Sequence, residues 1–324
     1  MRTLKFQPIH QKRQESFHIA DYHLNDFSFD GKNRKVNSNV NLSIYIDDYC
    51  NAACKFCLSQ MTLNKRENKK QRIPSDEVYL KRLDYVLDYL KPLNPTISIT
   101  GGEPTKSPRL IPVLQKINEY NYRKRTLSTN GTGLLEVMEG KKVIEYIIEN
   151  RFQNMTVSIA HHNPDLNQKM MQYKEKPFSE EDLKKVIAFS KVGNLHTRLS
   201  CVLLKEGIND LPSMFEYQKH YETLGLDNIL FRELSYADIS QYCHANKVDI
   251  DDIIKEVKQD KAFSYIKSID GYEYLIDVYK HSSPEKENLV KIYTEKPVAE
   301  DIIYEMVFYP NGDLDASWAG DLLL

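Results

Sequence analysis

Three cysteines in one short stretch are the residues of this sequence best suited to metal chemistry. Cys50, Cys54 and Cys57 follow the spacing C-x3-C-x2-C, and the whole chain of 324 residues contains only five cysteines. Thiolates placed this close together can ligate three corners of an iron–sulfur cube, because thiolate is the ligand that such clusters use. The other two, Cys201 and Cys243, have no partner at ligand spacing. The pattern therefore predicts a cluster in which one iron stays open to a ligand from outside the chain.

Two other interpretations of the cysteine stretch compete with the cluster. Buried inert thiols are common in proteins. A zinc ion needs a fourth ligand, which a distant histidine such as His161 or His162 can supply. A related alternative is a protein that binds an iron–sulfur cluster or zinc without catalysis. Three thiols at this spacing, in a chain that is otherwise poor in cysteine, favour the cluster.

A second group of residues with chemical potential follows a predicted strand over residues 96–100. The strand leads into Gly101-Gly102-Glu103-Pro104, where adjacent glycines allow a ligand to approach the backbone closely. The carboxylate of Glu103 can accept hydrogen bonds from an ammonium group. Taken alone, the same four residues also fit an ordinary turn at the end of a strand.

Short β-type segments alternate with amphipathic helical patterns from about residue 41 to residue 234. The segments are rich in Ile, Val, Leu and Thr and show little strict alternation, as strands covered on both faces do. This arrangement is typical of βαβ units with a parallel sheet and predicts an α/β fold. The six predicted strands are Leu42 to Ile46, Thr96 to Thr100, Arg125 to Thr129, Met155 to Ala160, Thr197 to Leu204 and Asn228 to Leu234.

Polar side chains also accompany the third and fourth predicted strands. Ser128 and Asn130 stand at the end of the third strand, and Ser158 lies within the fourth. Because α/β folds build their sites at the C-terminal ends of parallel strands, these residues are candidates for binding a ribose or a carboxylate. Each of them also fits a simple cap of a turn or a helix.

The cysteine spacing, with the aromatic Phe56 before the third cysteine, and the segment Gly101 to Pro104 resemble the radical S-adenosylmethionine (SAM) enzyme superfamily. The fifth strand and its exit, Gly207 to Asp210, are similar to the branch that contains the cyclase of molybdenum-cofactor biosynthesis. The resemblance covers roughly residues 41–235. The fold that it implies is α/β, a partial (β/α)6 barrel of the TIM type with a C-terminal α+β extension.

The resemblance implies two cofactors, a [4Fe-4S] cluster on Cys50, Cys54 and Cys57 and S-adenosyl-L-methionine on its open iron. In such enzymes the reduced cluster cleaves SAM to methionine and a 5′-deoxyadenosyl radical, which abstracts a hydrogen atom from the substrate. An electron donor such as flavodoxin or ferredoxin is implied as a partner. The residues that the resemblance assigns to SAM are Thr100, Gly101, Gly102, Glu103, Pro104, Ser128, Asn130, Ser158, Arg198, Ser200 and Arg232.

The chain divides into three regions by its patterns. Residues 1–40 show no clear period and are interpreted as an N-terminal cap or arm, and residues 41–235 form the core barrel. Residues 236–324 change to a helical stretch followed by β-type segments, which predicts an α+β region for substrate binding. The last long segment ends in Pro310-Asn311-Gly312-Asp313, a turn that leads into a short final strand. This region lacks the additional cysteines of the cyclase branch, so an auxiliary cluster is not expected.

The leading interpretation is an enzyme of biosynthesis that acts on a small molecule, such as a nucleotide or a sugar, in a rearrangement, cyclisation or oxidation. Candidate substrate contacts are Trp318, His161, His162 and a Tyr-rich segment at residues 265–279. A basic run at residues 64–72 is a further candidate, since it can guide an anionic substrate. The runner-up is a peptide-modifying enzyme or an epimerase in which Cys243 donates a hydrogen atom. All of these residues also fit structural roles, in packing, in surface hydrogen bonding or as a buried thiol.

Composition bounds the class of protein. Hydrophobic residues make up 41% and charged residues 28% of the chain, which is typical of an ordinary globular protein and excludes disordered and collagen-like classes. A net charge of −2 predicts no binding to a nucleic acid polymer. The N-terminus has no apolar signal region, and no stretch reaches the ~18 apolar residues that a membrane span needs. With an odd and small number of cysteines, we expect a reduced, cytoplasmic protein.

Overall fold

The computed structural model of the chain describes residues 23–57, 59, 74–234, 240–270, 274–282, 287–295, 302–318 and 320–324. The basic run at residues 64–72 and residues 1–22 of the predicted N-terminal region lie outside this part. The strands of the described part are β1 (Leu24–Phe29), β2 (Lys32–Tyr45), β3 (Thr96–Thr100), β4 (Lys124–Thr129), β5 (Val137–Met138), β6 (Lys141–Lys142), β7 (Asn154–Ser158), β8 (His196–Val202), β9 (Asn228–Arg232), β10 (Phe263–Asp270), β11 (Tyr274–Ser282), β12 (Glu287–Glu295), β13 (Ile302–Phe308) and β14 (Leu314–Asp315).

The helices begin where the local sequence supplies N-terminal caps. Ser75 accepts a hydrogen bond from the N–H of Val78 at the start of α1, and Ser179 caps α5 in the same way. Pro164 occupies the first turn of α4, where its missing N–H would have no helical partner in any case. The α-helices of the described part are α1 (Asp76–Leu90), α2 (Leu110–Asn118), α3 (Val143–Glu149), α4 (Pro164–Met171), α5 (Glu180–Val192), α6 (Leu211–Tyr221), α7 (Gln241–Asn246) and α8 (Ile250–Gln259).

Parallel strands form the centre of the fold. They follow the order β13-β2-β3-β4-β7-β8-β9-β12, and every neighbouring pair in this series is parallel. The six predicted core strands are confirmed as β2, β3, β4, β7, β8 and β9. They stand side by side in the order of the sequence, with helices between them, as successive βαβ crossovers place them. The predicted α/β fold with a parallel sheet is therefore confirmed.

The two faces of this sheet differ in chemistry. Apolar side chains such as Ile97 and Leu127 are fully buried in a core that also contains Leu87 of α1. The alternate positions of the same strands are polar, and the hydroxyl of Thr126 donates to that of Ser98 at 3.1 Å. Since successive side chains of a strand point to opposite faces, these polar residues share the face turned away from the helices. We call this the inner face.

The sheet curls so that strands far apart in its order come close together. Burial raises the pKa of the Glu305 carboxyl on β13, and the charge of Arg232 on β9 is among the influences that lower it. Six strand steps separate β13 from β9, which would be about 29 Å in a flat sheet at ~4.8 Å per strand. An electrostatic interaction between the two residues agrees with a curved sheet that has the inner face as its concave side.

The barrel that results is partial. In the described ranges no strand pairing joins β12 to β13, the two ends of the parallel series, so the barrel is not closed there. This agrees with the predicted partial barrel. Among the described helices, none is both long enough and apolar enough to cross a membrane.

The described part of the predicted N-terminal region is a β-hairpin. β1 pairs antiparallel with the first part of β2, and Phe29 lies opposite Lys32 across a two-residue turn. The turn residues Asp30 and Gly31 both have positive φ, at 45° and 76°. Two-residue hairpin turns of this kind favour Asp-Gly, because glycine adopts positive φ without steric cost.

The C-terminal strands continue the same sheet. β10, β11 and β12 form an antiparallel meander that joins β9 through β12, and β13 pairs parallel with β2 on the other side. The turn at residues 310–313 leads into β14, which pairs antiparallel with β13 as the sequence predicts. The domain boundaries at residues 40 and 235 stay predictions, and the sheet itself runs across both.

Candidate active site

The three cysteines lie on the loop that follows β2, at the C-terminal edge of the parallel strands, and we call residues 46–57 the cysteine loop. The side chains of Cys50, Cys54 and Cys57 are all partly exposed. The thiol of Cys50 accepts a hydrogen bond from the N–H of Ala52 at 3.4 Å, and the N–H of Cys57 donates to the carbonyl of Cys54 at 3.1 Å. These short-range bonds fold the loop tightly, so that it presents three thiols from one piece of backbone.

The loop after β3 holds the cysteine loop in place. The N–H of Gly102 donates to the carbonyl of Asp47, and the N–H of Glu103 donates to the carbonyl of Tyr49, each at 2.7 Å. A Cβ atom on Gly102 would lie 1.9 Å from the carbonyl oxygen of Tyr49. The sequence suggested that these glycines admit a ligand, whereas in the structure the close approach at Gly102 is made by the chain's own cysteine loop.

The carboxylate of Glu103 is buried and joins the ends of β3 and β4. Its Oε1 accepts hydrogen bonds from the hydroxyls of Thr105 and Thr129, each at 2.5 Å, and its Oε2 accepts from the N–H of Asn130 at 2.6 Å. Burial raises the pKa of Glu103, and these hydrogen bonds act against the rise because they stabilise the charged form. With one donor from the described residues, Oε2 has the capacity to accept a second hydrogen bond, such as one from an ammonium group. The expected contact with SAM stays a prediction.

Asn130 fastens the cysteine loop to the end of β4. Its side-chain amide donates to the side-chain oxygen of Asn51 at 2.9 Å, and the amide of Asn51 donates to the hydroxyl of Thr132 at 3.0 Å. The N–H of Thr132 in turn donates to the side-chain oxygen of Asn130 at 3.0 Å. Asn130 is thus a positioning residue for the cysteine loop, and its predicted contact with SAM is not tested by these bonds.

The segment that follows α4 covers another side of the cysteine loop. Ala52 forms a β-bridge with Tyr173, and the N–H of Ala53 donates to the carbonyl of Met171 at 3.2 Å. The thiol of Cys54 lies 3.3 Å from the carbonyl oxygen of Met171 and 3.7 Å from its sulfur. These residues were missed by the sequence interpretation. They follow the cysteines by more than a hundred residues, and no spacing or periodicity links the two segments.

A small apolar cluster lies against two of the cysteines. Cys50, Cys54 and Phe56 pack on it. Burial raises the pKa of Cys50 to about 11, and it also raises that of Cys54, where the neighbouring thiols add to the effect. An apolar surrounding of this kind limits the access of water to thiol ligands. The buried members of the cluster are Ala52, Ala160, Met170, Met171, Tyr173, Leu204, Leu234 and Cys243.

Cys243, the predicted hydrogen donor, belongs to this apolar cluster. It lies on α7, its side chain is fully buried, and its N–H donates to the hydroxyl of Ser240 at the start of that helix. Burial raises the pKa of its thiol. Its catalytic role stays a prediction.

The inner face next to the cysteine loop carries small hydroxyl side chains. Thr100, Ser128, Ser158 and Ser200 occupy inward positions on four neighbouring strands, at or near their C-terminal ends. In the part of the chain that the structure describes, their hydroxyls have no hydrogen-bond partner. They line the region in which the sequence places SAM, so these hydroxyls remain free to bind a polar ligand.

Two arginines predicted to contact SAM also face inward. The Nε–H of Arg198 on β8 donates to the hydroxyl of Thr156 at 2.7 Å. The guanidinium of Arg232, at the end of β9, lies 4.6 Å from the ring centroid of Tyr293, which is cation–π distance. The roles of both arginines as SAM contacts stay predictions. Arg232 lies at the C-terminal end of its strand, whereas Arg198 lies four residues before the end of β8.

Trp318, a predicted substrate contact, packs beside the cysteine loop. Its ring lies 5.9 Å from that of Tyr45 and 6.4 Å from that of Tyr309, both edge-on. Its side chain also hydrogen-bonds to Glu305. Tyr45 is close enough to the loop that, after burial, negative charge on Asp48 and on the thiols of Cys57 and Cys50 raises its pKa. Trp318 is thus part of an aromatic wall on the β2 and β13 side of the inner face.

The other predicted substrate residues lie elsewhere. The rings of His161 and His162 are 4.5 Å apart, and His162 stands edge-on to Tyr217 of α6, which is in the layer of helices. Tyr265 is exposed on β10, at the edge of the sheet, while Tyr274 stacks with Tyr293 at 5.5 Å. Of this set, the structure brings Trp318 and Tyr274 towards the inner face, and all the substrate roles stay predictions.

Within the described residues, no three His, Cys, Asp or Glu side chains form a group that could hold a single metal ion. A [4Fe-4S] cluster takes one thiolate on each ligated iron. Its cysteines therefore surround a cube and do not meet at one atom.

Comparison with known proteins assigns the chain to a family. A sequence model of the Radical SAM superfamily matches residues 44–217, from the end of β2 through the cysteine loop to α6. The match spans more than half of the chain, and the chain therefore belongs to the radical SAM superfamily. It is an enzyme of this class, whose cofactors are SAM and a [4Fe-4S] cluster. None of the curated proteins matches the sequence.

Comparison with solved structures finds matches of low sequence identity. Native anSMEcpe with bound AdoMet is 18% identical, with a TM-score of 0.40, and the match covers 59% of this chain and 50% of that one. A radical SAM methyltransferase from Sphaerobacter thermophilus is 15% identical, with a TM-score of 0.45 and coverage of 69% and 62%. The methyltransferase TsrM from Kitasatospora setae is 13% identical, with a TM-score of 0.41 and coverage of 60% and 36%. This chain thus spans about half the length of the first of these relatives.

Proposed function

We propose that this chain binds one [4Fe-4S] cluster through Cys50, Cys54 and Cys57 and binds SAM at the open iron, along the C-terminal edge of β3, β4, β7 and β8. The substrate is a small molecule of biosynthesis, such as a nucleotide or a sugar, and the outcome is a rearrangement, cyclisation or oxidation. The observation that carries the proposal is the tight anchoring of the cysteine loop to the loop after β3, through the two 2.7 Å hydrogen bonds that Asp47 and Tyr49 accept just before Cys50.

The residues present fit the cluster. The three thiols lie on one loop, each partly exposed, so they are accessible to iron. Thiolate is the ligand that iron–sulfur clusters use, and bound iron would offset the mutual repulsion of three neighbouring thiolates. Contacts from the loop after β3, from Asn130 and from Met171 fix the loop in place before the cluster binds.

The SAM site is formed by residues with complementary polar groups. When bound, the reduced cluster and SAM would supply a 5′-deoxyadenosyl radical that abstracts a hydrogen atom from the substrate. Glu103 offers the spare capacity of its Oε2 to the ammonium group, and the hydroxyls of Thr100, Ser128 and Ser158 face a ribose or a carboxylate. The apolar cluster beside Cys50 and the aromatic wall beside Trp318 keep water from the same space.

Residues 236–324 complete the substrate space. β12 and β13 add Tyr293, Glu305 and, after β14, Trp318 to the inner face. A reducing partner such as flavodoxin or ferredoxin supplies the electron to the cluster, which the partly exposed cysteine loop leaves within reach of the surface.

Electron paramagnetic resonance of the reconstituted chain tests this proposal. We expect about four irons per chain and, after reduction, a cluster signal that changes when SAM is added, since SAM ligates the open iron. The variant Cys54→Ala should lose the signal, whereas Cys201→Ala, which removes a buried thiol of the core, should keep it. A signal that is the same with and without SAM would show that SAM does not bind the cluster.

An epimerase that acts on a peptide is the second candidate, and the position of Cys243 favours it. This thiol lies in the apolar cluster on which Cys50 and Cys54 pack. A thiol that donates a hydrogen atom exchanges with solvent, so turnover in D2O should place deuterium in an epimerised product. With Cys243→Ala the inverted product should disappear. An inverted, deuterated product from that variant would rule out the role of Cys243.

A further inference from the structure

Three cations lie on the inner face of three neighbouring strands. They are Arg198 on β8, Arg232 on β9 and Lys291 on β12. The register pairs Arg198 with Asn228 and Lys291 with Leu230, which are four and two residues before Arg232 on β9. Paired residues of parallel strands, and residues two apart on one strand, point to the same side. All three cations therefore share the space enclosed by the partial barrel.

These cations have few partners of their own. Arg198 donates one hydrogen bond, from its Nε to the hydroxyl of Thr156 at 2.7 Å. Arg232 stacks its guanidinium on the ring of Tyr293 at 4.6 Å. Across the described part of the chain, none of Arg198, Arg232 and Lys291 forms an ion pair. A guanidinium has five N–H donors, so most of the donors of both arginines are left for a ligand.

Positive charge prevails in this part of the inner face. The nearby negative charges are Glu305 on β13, which interacts electrostatically with Arg232, and Asp227 in the loop before β9, which acts on Lys291. Burial lowers the pKa of Arg198 to about 10, and the charge of Arg232 adds to this effect. Burial and the charge of Arg198 also lower the pKa of Lys291. Neighbouring cations in a partly enclosed space are stabilised when an anion binds among them.

Arg198 lies deep in the barrel relative to the cysteine loop. It is the third residue of the seven-residue strand β8 and precedes the strand's last residue, Val202, by four positions. At ~3.3 Å per residue this corresponds to about 13 Å along the strand. The cysteine loop lies at the C-terminal edge. A molecule that reaches from Arg198 to this edge would therefore extend along the inner face.

We propose that Arg198, Lys291 and Arg232 bind an anionic group of the substrate, a phosphate or a carboxylate, and hold its reacting carbon towards the C-terminal edge. The proposal rests on the function proposed above and assigns Arg198 and Arg232 to the substrate, where the sequence assigned them to SAM. Arginine suits this role because its planar donors can bind two oxygens of one anion at once.

Calorimetric titration of the reconstituted full-length chain with inorganic phosphate, and separately with acetate, tests the proposal. Both titrations are made first without SAM and then again with saturating SAM. We expect saturable binding of at least one anion, and the variants Arg198→Gln and Lys291→Gln should each weaken it by about tenfold or more. Arg198→Lys and Lys291→Arg keep the charge and should retain more affinity than the Gln variants. The control Lys184→Gln, on the exposed side of α5, should bind as the wild type does.

Three results would overturn the proposal. They are no saturable binding of either anion, equal affinity in the Gln variants and the control, and loss of anion binding when SAM is added. In the last case the cations would belong to the SAM site. The anion that binds with the higher affinity shows whether the anionic group of the substrate is a phosphate or a carboxylate.

The same wild-type preparation is also assayed for SAM cleavage without substrate. If the wild type cleaves SAM but binds no anion, only the inference about the three cations is ruled out. If it binds an anion but does not cleave SAM, only the proposed function is ruled out.

Discussion

Gly102 is the residue on which the geometry of the cysteine loop depends most directly. Its N–H donates to Asp47, and the carbonyl oxygen of Tyr49 occupies the space that a side chain would need. Both contacts are with backbone atoms, which cannot move aside as a flexible side chain can. Glu103, the next residue, has a different role, because its carboxylate ties β3 to β4 through Thr129 and Asn130.

The variant Gly102→Ala should bind less iron than the wild type. Its Cβ would lie 1.9 Å from the carbonyl oxygen of Tyr49, so the cysteine loop must shift away from the loop after β3. After anaerobic reconstitution, we expect the variant to contain about half as much iron and sulfide as the wild type, or less, because displaced ligands bind metal more weakly. In the matched control Gly207→Ala, the new atom meets the flexible sulfur of Met170 at 2.8 Å, and iron content should stay close to that of the wild type. Full iron content in Gly102→Ala would contradict this account of the loop.

The sequence predicts the chemistry of single residues better than their contacts. The spacing of the cysteines identifies the metal ligands proposed here, because ligand spacing is a local property. The contact between Cys54 and Met171 joins residues 117 positions apart, and only the fold brings them together. No pattern in the sequence indicates a role for Asn51 either, although its side-chain amide connects the cysteine loop to Asn130 and Thr132.

At the scale of elements, the core strands were predictable and the hairpin at β1 was not. Strands such as β3 (Thr96–Thr100) are short segments of β-type residues between amphipathic helices, a pattern that local sequence carries strongly. β1 and the first part of β2 are mostly polar and partly exposed, so no apolar period marks them. The Asp30-Gly31 turn was the available signal, since this dipeptide favours a two-residue hairpin.

The packing of β11 on α6 should make stability depend on pH through His281. Its ring lies 4.9 Å from those of Phe215 and Phe263, and its Nδ1 pairs with the amide of Gln218. Burial lowers the pKa of His281 below 6.5, although nearby acidic groups oppose the shift. Below that pH the unfolded chain binds the proton more readily than the folded chain. The contribution of His281 to the free energy of unfolding is therefore fully present above pH 6.5 and is lost as the pH falls below that value.

Urea unfolding of the apo chain at several pH values measures this dependence. Between about pH 7 and pH 5, the fall in unfolding free energy should be smaller for His281→Asn than for the wild type. The control His23→Asn, which changes an exposed histidine, should keep the slope of the wild type. An unchanged slope in His281→Asn would show that this histidine does not titrate differently in the two states.

At the scale of the whole molecule, the C-terminal strands extend the parallel sheet of the partial barrel on both sides. The sequence predicts an appended α+β region after residue 235, because a helical stretch is followed there by β-type segments without helices between them. In the structure β12 and β13 flank the parallel series, where they pair with β9 and β2. Strand pairing between distant segments leaves little trace in local sequence, which explains why the sequence did not indicate this arrangement.

A chain that ends at residue 235 should therefore fail to fold as an independent barrel. Without β12 and β13, the strands β9 and β2 become unpaired edges, and buried partners such as Val290 and Phe308 are lost from the core. We expect aggregation, or a broad unfolding transition without cooperativity, when this chain is compared with the full-length protein by circular dichroism. A soluble fragment with a sharp transition would instead support the predicted boundary at residue 235.

Cleavage of SAM by a cluster on the cysteine loop is the chemistry proposed for this chain. The most direct measurement is the formation of 5′-deoxyadenosine and methionine by the reconstituted chain with SAM and a strong reductant, without oxygen. The wild type and Cys201→Ala should form both products, and Cys54→Ala should form neither, since it removes a thiol of the cysteine loop. Absence of 5′-deoxyadenosine from a fully reconstituted wild type, or equal amounts from Cys54→Ala, would contradict the account.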